Sequence, residues 1–218
     1  MILSLLLYLL LAWQSLLPSS FEHLHPFKWD STFHSVVEDP ARSQYRLAQV
    51  YVESGFNPRA TSDFKGWKHK RIDTVTAIRC GMGAAGLCQF IFPTAQRYGA
   101  VTITTSQADS MTYSTDMYNP AWGLTAMIQY VKSIDRIILA TRNPKSRRKL
   151  LVDKKFRELC SSASYNTGEG RVLGLLNKDS DWEDIRLLLP AETRSYAERI
   201  VQVGDAMDKQ TRWSRTLR

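Results

Sequence analysis

The sequence predicts a mainly α-helical domain with at most a small β-hairpin, preceded by an apolar N-terminal segment. Three observations carry this. Leu124, Ile128, Val131, Ile134 and Ile138 recur at steps of three and four behind an Asn119-Pro120 start signal, the spacing of one helix face. Further helix punctuation stands at Asp39-Pro40, Asn166 to Gly168, Asp181 and Glu192. Strand-like runs are sparse, limited to Asp73 to Ile78 and Val101 to Thr105.

In chain order, the apolar run from Ile2 to Leu17 is broken only by Ser4, Gln14 and Ser15. It is shorter than the roughly 20 residues of a spanning helix and at the upper limit of a signal core of about 7–15. An uncleaved membrane anchor, holding the rest of the chain outside the cytoplasm, is the expectation, with a removed signal peptide as the alternative. The Leu-rich run leaves almost no polar face for an amphipathic surface helix. The division expected is 1–20 anchor or signal, 21–34 linker, 35–208 a single domain, and 209–218 a basic tail.

Within the domain, Asp39-Pro40 opens a first helix with Leu47, Val50 and Tyr51 as its apolar stripe, ended by Gly55 and Pro58 just beyond Glu53. Asn119-Pro120 opens the central helix. Phe156, Leu159, Cys160 and Ala163 mark another that stops near Asn166 and Gly168. Asp181 caps a short helix through Leu188, and Glu192 starts the last, with Tyr196, Ile200, Val203 and Met207 turned inward.

Net charge is +8, locally dense at Lys65 to Arg71 and at Lys145 to Lys149. Such runs are usually solvated faces, and a field of this sign also draws the chain towards anionic polymer or membrane. No recognition helix, zinc finger or stacking sheet motif points to nucleic acid. Cys80, Cys88 and Cys160 fit no metal spacing, so no metal site is expected, and their pairing stays open.

Four blocks carry chemistry in their order: Glu53 to Ser62 (ESGFNPRATS), Gly83 to Phe90 (GAAGLCQF), Ala163 to Gly168 (ASYNTG) and Pro190 to Tyr196 (PAETRSY). Splitting a glycosidic bond needs a proton delivered to the leaving oxygen, hence a carboxyl that is still protonated near neutral pH. Glu53 closes an apolar helix beside Phe56, a setting that raises a carboxyl's pKa. As a surface residue near a helix C-terminus it would sit unfavourably in the helix dipole.

Together, over roughly residues 35 to 208, these blocks resemble the soluble lytic transglycosylases with goose-lysozyme-like catalytic domains. The resemblance implies a lysozyme-like α fold, peptidoglycan glycan strands as substrate, and no cofactor. It implies cleavage of the MurNAc-GlcNAc β-1,4 bond with a 1,6-anhydroMurNAc product, Glu53 serving as acid and then as base. It also implies supporting roles: Ser62 and Gln89 on the glycan, Tyr165 close to the catalytic carboxyl, Asn166 steadying the backbone, and Glu192 and Tyr196 in the cleft. A goose-type lysozyme that admits water and a non-catalytic wall-binding component are the alternatives. The setting is a cell envelope, or a virion if phage-encoded.

Two departures from the family pattern stand out. Cys88 occupies the place of a Met, which is expected to widen or loosen that wall of the cleft. The segment between Ser62 and Gly83 is long and carries Trp67 among basic residues; it is expected to form a flap whose indole either stacks on sugar or anchors the loop.

Overall fold

A computed structural model describes residues 43–60, 84–100 and 115–216 of the chain. The first helix, α1 (Ser43–Ser54), ends where Gly55 and Phe56 both take left-handed backbone angles, φ 60° and 63°. A tiny antiparallel hairpin follows, β1 (Ala84–Ala85) against β2 (Phe90–Ile91), then α2 (Phe92–Arg97) and a 3-10 turn at Thr115–Tyr118. The rest is helical: α3 (Pro120–Leu139), α4 (Pro144–Val152), α5 (Lys154–Thr167), α6 (Glu169–Leu176), α7 (Trp182–Leu187) and α8 (Ala191–Thr216). The class is therefore mainly α with a two-stranded sheet, as the periodicity predicts.

The α3 helix is the spine. Asn119 caps it by accepting from the Ala121 and Trp122 amides, with Pro120 supplying a preset φ at the first helical position. All five residues of its expected stripe are buried. Its N-terminal half, with Leu124, Met127 and Val131, packs into a cluster with Val50, Phe56, Leu87, Phe90 and Met117. Its C-terminal half, with Ile134 and Ile138, packs into a second with Leu150, Phe156, Val172, Leu176 and Ile185. Tyr130 and Tyr165 touch both clusters and join them into one interior.

Against this spine, α8 lies tightly on α1. A Cβ at Gly204 would fall 2.4 Å from the Tyr45 ring, so the missing side chain is what permits the approach. The contact centres the buried face of α8 on Thr193, Ala197, Ile200, Val201 and Gly204. Val203 and Met207, expected to turn inward, lie at its margin and are only half-buried. The helix continues to Thr216, across the boundary expected at 208.

Other differences have simple causes. The α4 helix opens with Asn143-Pro144, the same signal as Asn119-Pro120, but its run of Lys and Arg masks any apolar period; Ser146 and Leu150 alone face inward. The hairpin falls on the Gly83 to Phe90 block and Ile91, and it carries no strand signal because strands two residues long leave no alternation to read. The strand-like runs at 73–78 and 101–105, the Asp39-Pro40 signal, the N-terminal apolar run and the Lys65 to Arg71 segment lie outside the described residues. No helix among the described residues is long and apolar enough to cross a membrane.

Candidate active site

Glu53 occupies the last turn of α1, and its position is fixed from three directions. Ser54, the next residue, donates its hydroxyl to the Leu87 carbonyl at 2.7 Å, tying the end of α1 to the hairpin turn. Phe56 is buried in the first core cluster with its ring 6.0 Å from that of Tyr51. From α8, the Tyr196 hydroxyl donates to the Glu53 carboxylate. The ESGF string thus does three local jobs: carboxyl, tether and hydrophobic stop.

The hairpin turn forms the facing wall. Gly86 takes φ 78°, and a Cβ there would lie 1.7 Å from the Met117 carbonyl oxygen, so no other residue fits. Its amide donates to the Ala60 carbonyl at 2.8 Å. Gln89, also left-handed at φ 48°, donates its side-chain amide to the carbonyls of Gly86 at 2.8 Å and Ala60 at 3.1 Å. A non-glycine residue in this region is uncommon and is held there by its surroundings. The Gln89 amide protons thus clamp two backbone segments.

Tyr165 reaches this wall from α5 and donates to the Cys88 carbonyl at 2.9 Å. Burial chiefly, and the Glu53 carboxylate to a lesser degree, oppose ionisation of this phenol, whose proton is spent on backbone. Cys88 is packed into the wall. Its side chain is buried, and an added Cβ at Gly123 of α3 would lie 3.8 Å from its sulfur, so a small residue meets a small residue there.

The remaining expected residues separate. Asn166, at the end of α5, accepts from the buried Thr193 hydroxyl at 2.7 Å and so ties α5 to the first turn of α8. Glu192 is exposed in that same turn, a favourable place for an acid in the helix dipole, and among the described residues no hydrogen bond joins it to Glu53. Ser62 and Trp67 lie outside the described residues.

Three residues absent from the sequence reading back up the site. Gln49 donates to the Tyr196 oxygen at 3.4 Å, Arg46 donates to Gln49 Oε1 at 2.6 Å, and Arg46 is ion-paired with Glu158 of α5. All three are buried. The signal was present: 46, 49 and 53 follow at steps of three and four, which puts Arg46, Gln49 and Glu53 on one side of α1.

Electrostatics follow from burial. Glu53 is raised from 4.5 to about 7, chiefly because burial penalises the carboxylate, with the Tyr196 hydrogen bond pulling the other way. Burial likewise pushes Cys88, Tyr165 and Tyr196 well above their ordinary values, so all three are neutral where Glu53 titrates. Among the described residues no second carboxylate is coupled to Glu53, and none forms a cluster fit to hold a metal ion. A carboxyl half-protonated at neutral pH is equipped to give a proton and take one back.

Searches of curated proteins and of solved structures each return no match. The family model for the transglycosylase SLT domain matches residues 41–187, which include Glu53, the hairpin turn and Tyr165, while Tyr196 lies beyond its end. The match spans well over half of the chain, so this protein belongs to the transglycosylase SLT domain family.

Proposed function

We propose that this protein cleaves the MurNAc-GlcNAc β-1,4 bond of peptidoglycan as a lytic transglycosylase, with Glu53 as the single acid and base. Family membership carries lytic-transglycosylase-type activity on peptidoglycan in general. The observation that supports the finer reading is the state of Glu53: a carboxyl raised to about 7 by burial and held by a phenol from another helix.

In the first step the protonated Glu53 donates to the glycosidic oxygen as the bond to the anomeric carbon breaks. The substrate's 2-acetamido group stabilises the developing positive charge. The resulting Glu53 carboxylate then removes the proton of the muramic C6 hydroxyl, whose oxygen closes on the anomeric carbon. The anhydro ring forms, Glu53 regains its proton, and no water is consumed. Tyr196 supplies a hydrogen bond that strengthens as Glu53 becomes charged, and so supports the carboxylate between the two steps. Tyr165 and Gln89 hold the wall opposite through the Cys88, Gly86 and Ala60 carbonyls. Hydrolysis differs in that water attacks the anomeric carbon, ordinarily activated by another acid.

Dye release from labelled peptidoglycan tests the assignment. Glu53→Gln is nearly isosteric and is expected to lower the rate by about 10²-fold or more, the scale of general acid-base catalysis. Undiminished release by this variant contradicts it.

A further inference from the structure

The site rests on a buried polar chain whose direction is dictated by chemistry. Arg46 is 2% exposed, and Gln49 and Glu158 are 0% exposed. Burying an Arg-Glu pair is a poor route to stability, because desolvation offsets most of the attraction and well-packed apolar residues often do as well. The pair's link to the site is therefore the more informative feature. Glu158 on α5 holds Arg46 on α1, and Arg46 Nη1 lies 2.6 Å from Gln49 Oε1.

A guanidinium has donors only, so the Gln49 side chain must present its oxygen to Arg46 and its NH2 group to Tyr196. The Tyr196 oxygen then accepts from Gln49, and its one proton is directed to Glu53. The reversed amide would place an acceptor against Tyr196, competing with Glu53 for that proton. Arg46 excludes the reversed state.

We propose that Arg46 and Gln49 are positioning residues that orient the Tyr196 hydroxyl towards Glu53, with Glu158 anchoring Arg46 from the neighbouring helix. None of the three needs to touch substrate. The consequence for cleavage rests on the function proposed above; the proton arrangement itself does not.

Among the described residues, the titratable and charged groups that face the pair come from four places. Facing Glu53 are Tyr196 from α8, Tyr165 from α5 and the Cys88 thiol of the hairpin turn. Facing Tyr196 are Glu53 and Arg46 from α1, together with Tyr165. Burial keeps both phenols and the thiol neutral, and Arg46 stays charged, so Glu53 alone of these changes state near neutrality. Donation from Tyr196 lowers the Glu53 pKa, so loss of that donation must raise it.

The test is a carbon-detected NMR titration of the Glu53 carboxyl in the full chain, its resonance identified by loss in Glu53→Gln. Gln49→Leu keeps the side-chain volume and removes the amide. It is expected to raise the Glu53 midpoint by about half a pH unit or more, in the direction of Tyr196→Phe, and to add nothing further in the Tyr196→Phe background. Against peptidoglycan it is expected to lower kcat by about 10-fold with KM changed less than about twofold. An unchanged midpoint in folded Gln49→Leu, or a shift that persists in full without the Tyr196 hydroxyl, overturns the proposal. Should Gln49→Leu fail to fold, Arg46→Met combined with Glu158→Met removes both charges together, and the same upward shift is expected; its absence is equally fatal. A wild-type chain that titrates as described but leaves peptidoglycan intact would refute the proposed function and not this orientation.

Discussion

At Glu53 the same burial that suits the residue to acid catalysis works against the fold. Its pKa rises from 4.5 in a solvated chain to about 7 in the folded one, so the folded state holds the proton more tightly. The sign follows directly: the stability tied to this proton is complete below about pH 4.5 and is lost as pH climbs through about 7. A shift of this size corresponds to about 2–3 kcal/mol once partial solvent access is allowed for. Glu53→Gln, which cannot ionise, is therefore expected to match wild type near pH 4 and to exceed it by about that amount at pH 8 and above. Urea unfolding of the two proteins at both pH values measures this. Equal stability at pH 8 would mean that Glu53 is solvated and has an ordinary pKa.

At the scale of elements, the hairpin turn is the most tightly specified part. Gly86 is pressed against the Met117 carbonyl at an angle open to glycine. Gly86→Ala combines left-handed strain with a backbone clash and is expected to cost about 3 kcal/mol or more, lowering Tm by about 6–12 °C. A smaller loss, read by thermal unfolding, would show that the turn and the Thr115–Tyr118 segment separate easily. What the sequence revealed here and what it concealed have physical reasons. Asn119-Pro120, Asp181 and Gly168 were readable because a cap or a positive φ is a local property of one or two residues. The α3 stripe was readable because both core clusters lie along one side of it. Glu53 and Tyr196 were identifiable from their blocks, yet their hydrogen bond, across 143 positions of sequence, was not. The Arg46-Gln49-Glu158 chain was hidden for a related reason: polar residues at helical spacing read as a solvated face unless a partner on another helix is known to bury them. The neighbour of Cys88 at Gly123 was hidden too, because it is set by α3 packing rather than by the block that holds Cys88.

For the whole molecule, every side chain of the described site lies between residues 46 and 196, inside the domain formed by the described helices. The apolar run from Ile2 to Leu17 is proposed as a membrane tether for this domain. Removal of residues 1–20 is then expected to release the chain from membranes while leaving cleavage of isolated peptidoglycan within about twofold. Fractionation of both forms checks this, and a full-length chain that is freely soluble with its N-terminus intact contradicts it.

The central claim is that one carboxyl both protonates the leaving sugar and closes the anhydro ring without water. Mass analysis of the fragments released from peptidoglycan in water enriched in oxygen-18 tests it most directly. The account predicts muropeptides one water lighter than reducing ends and free of the heavy isotope. Reducing ends carrying oxygen-18 would show that water attacks the anomeric carbon, and that the protein is a hydrolase built on this fold.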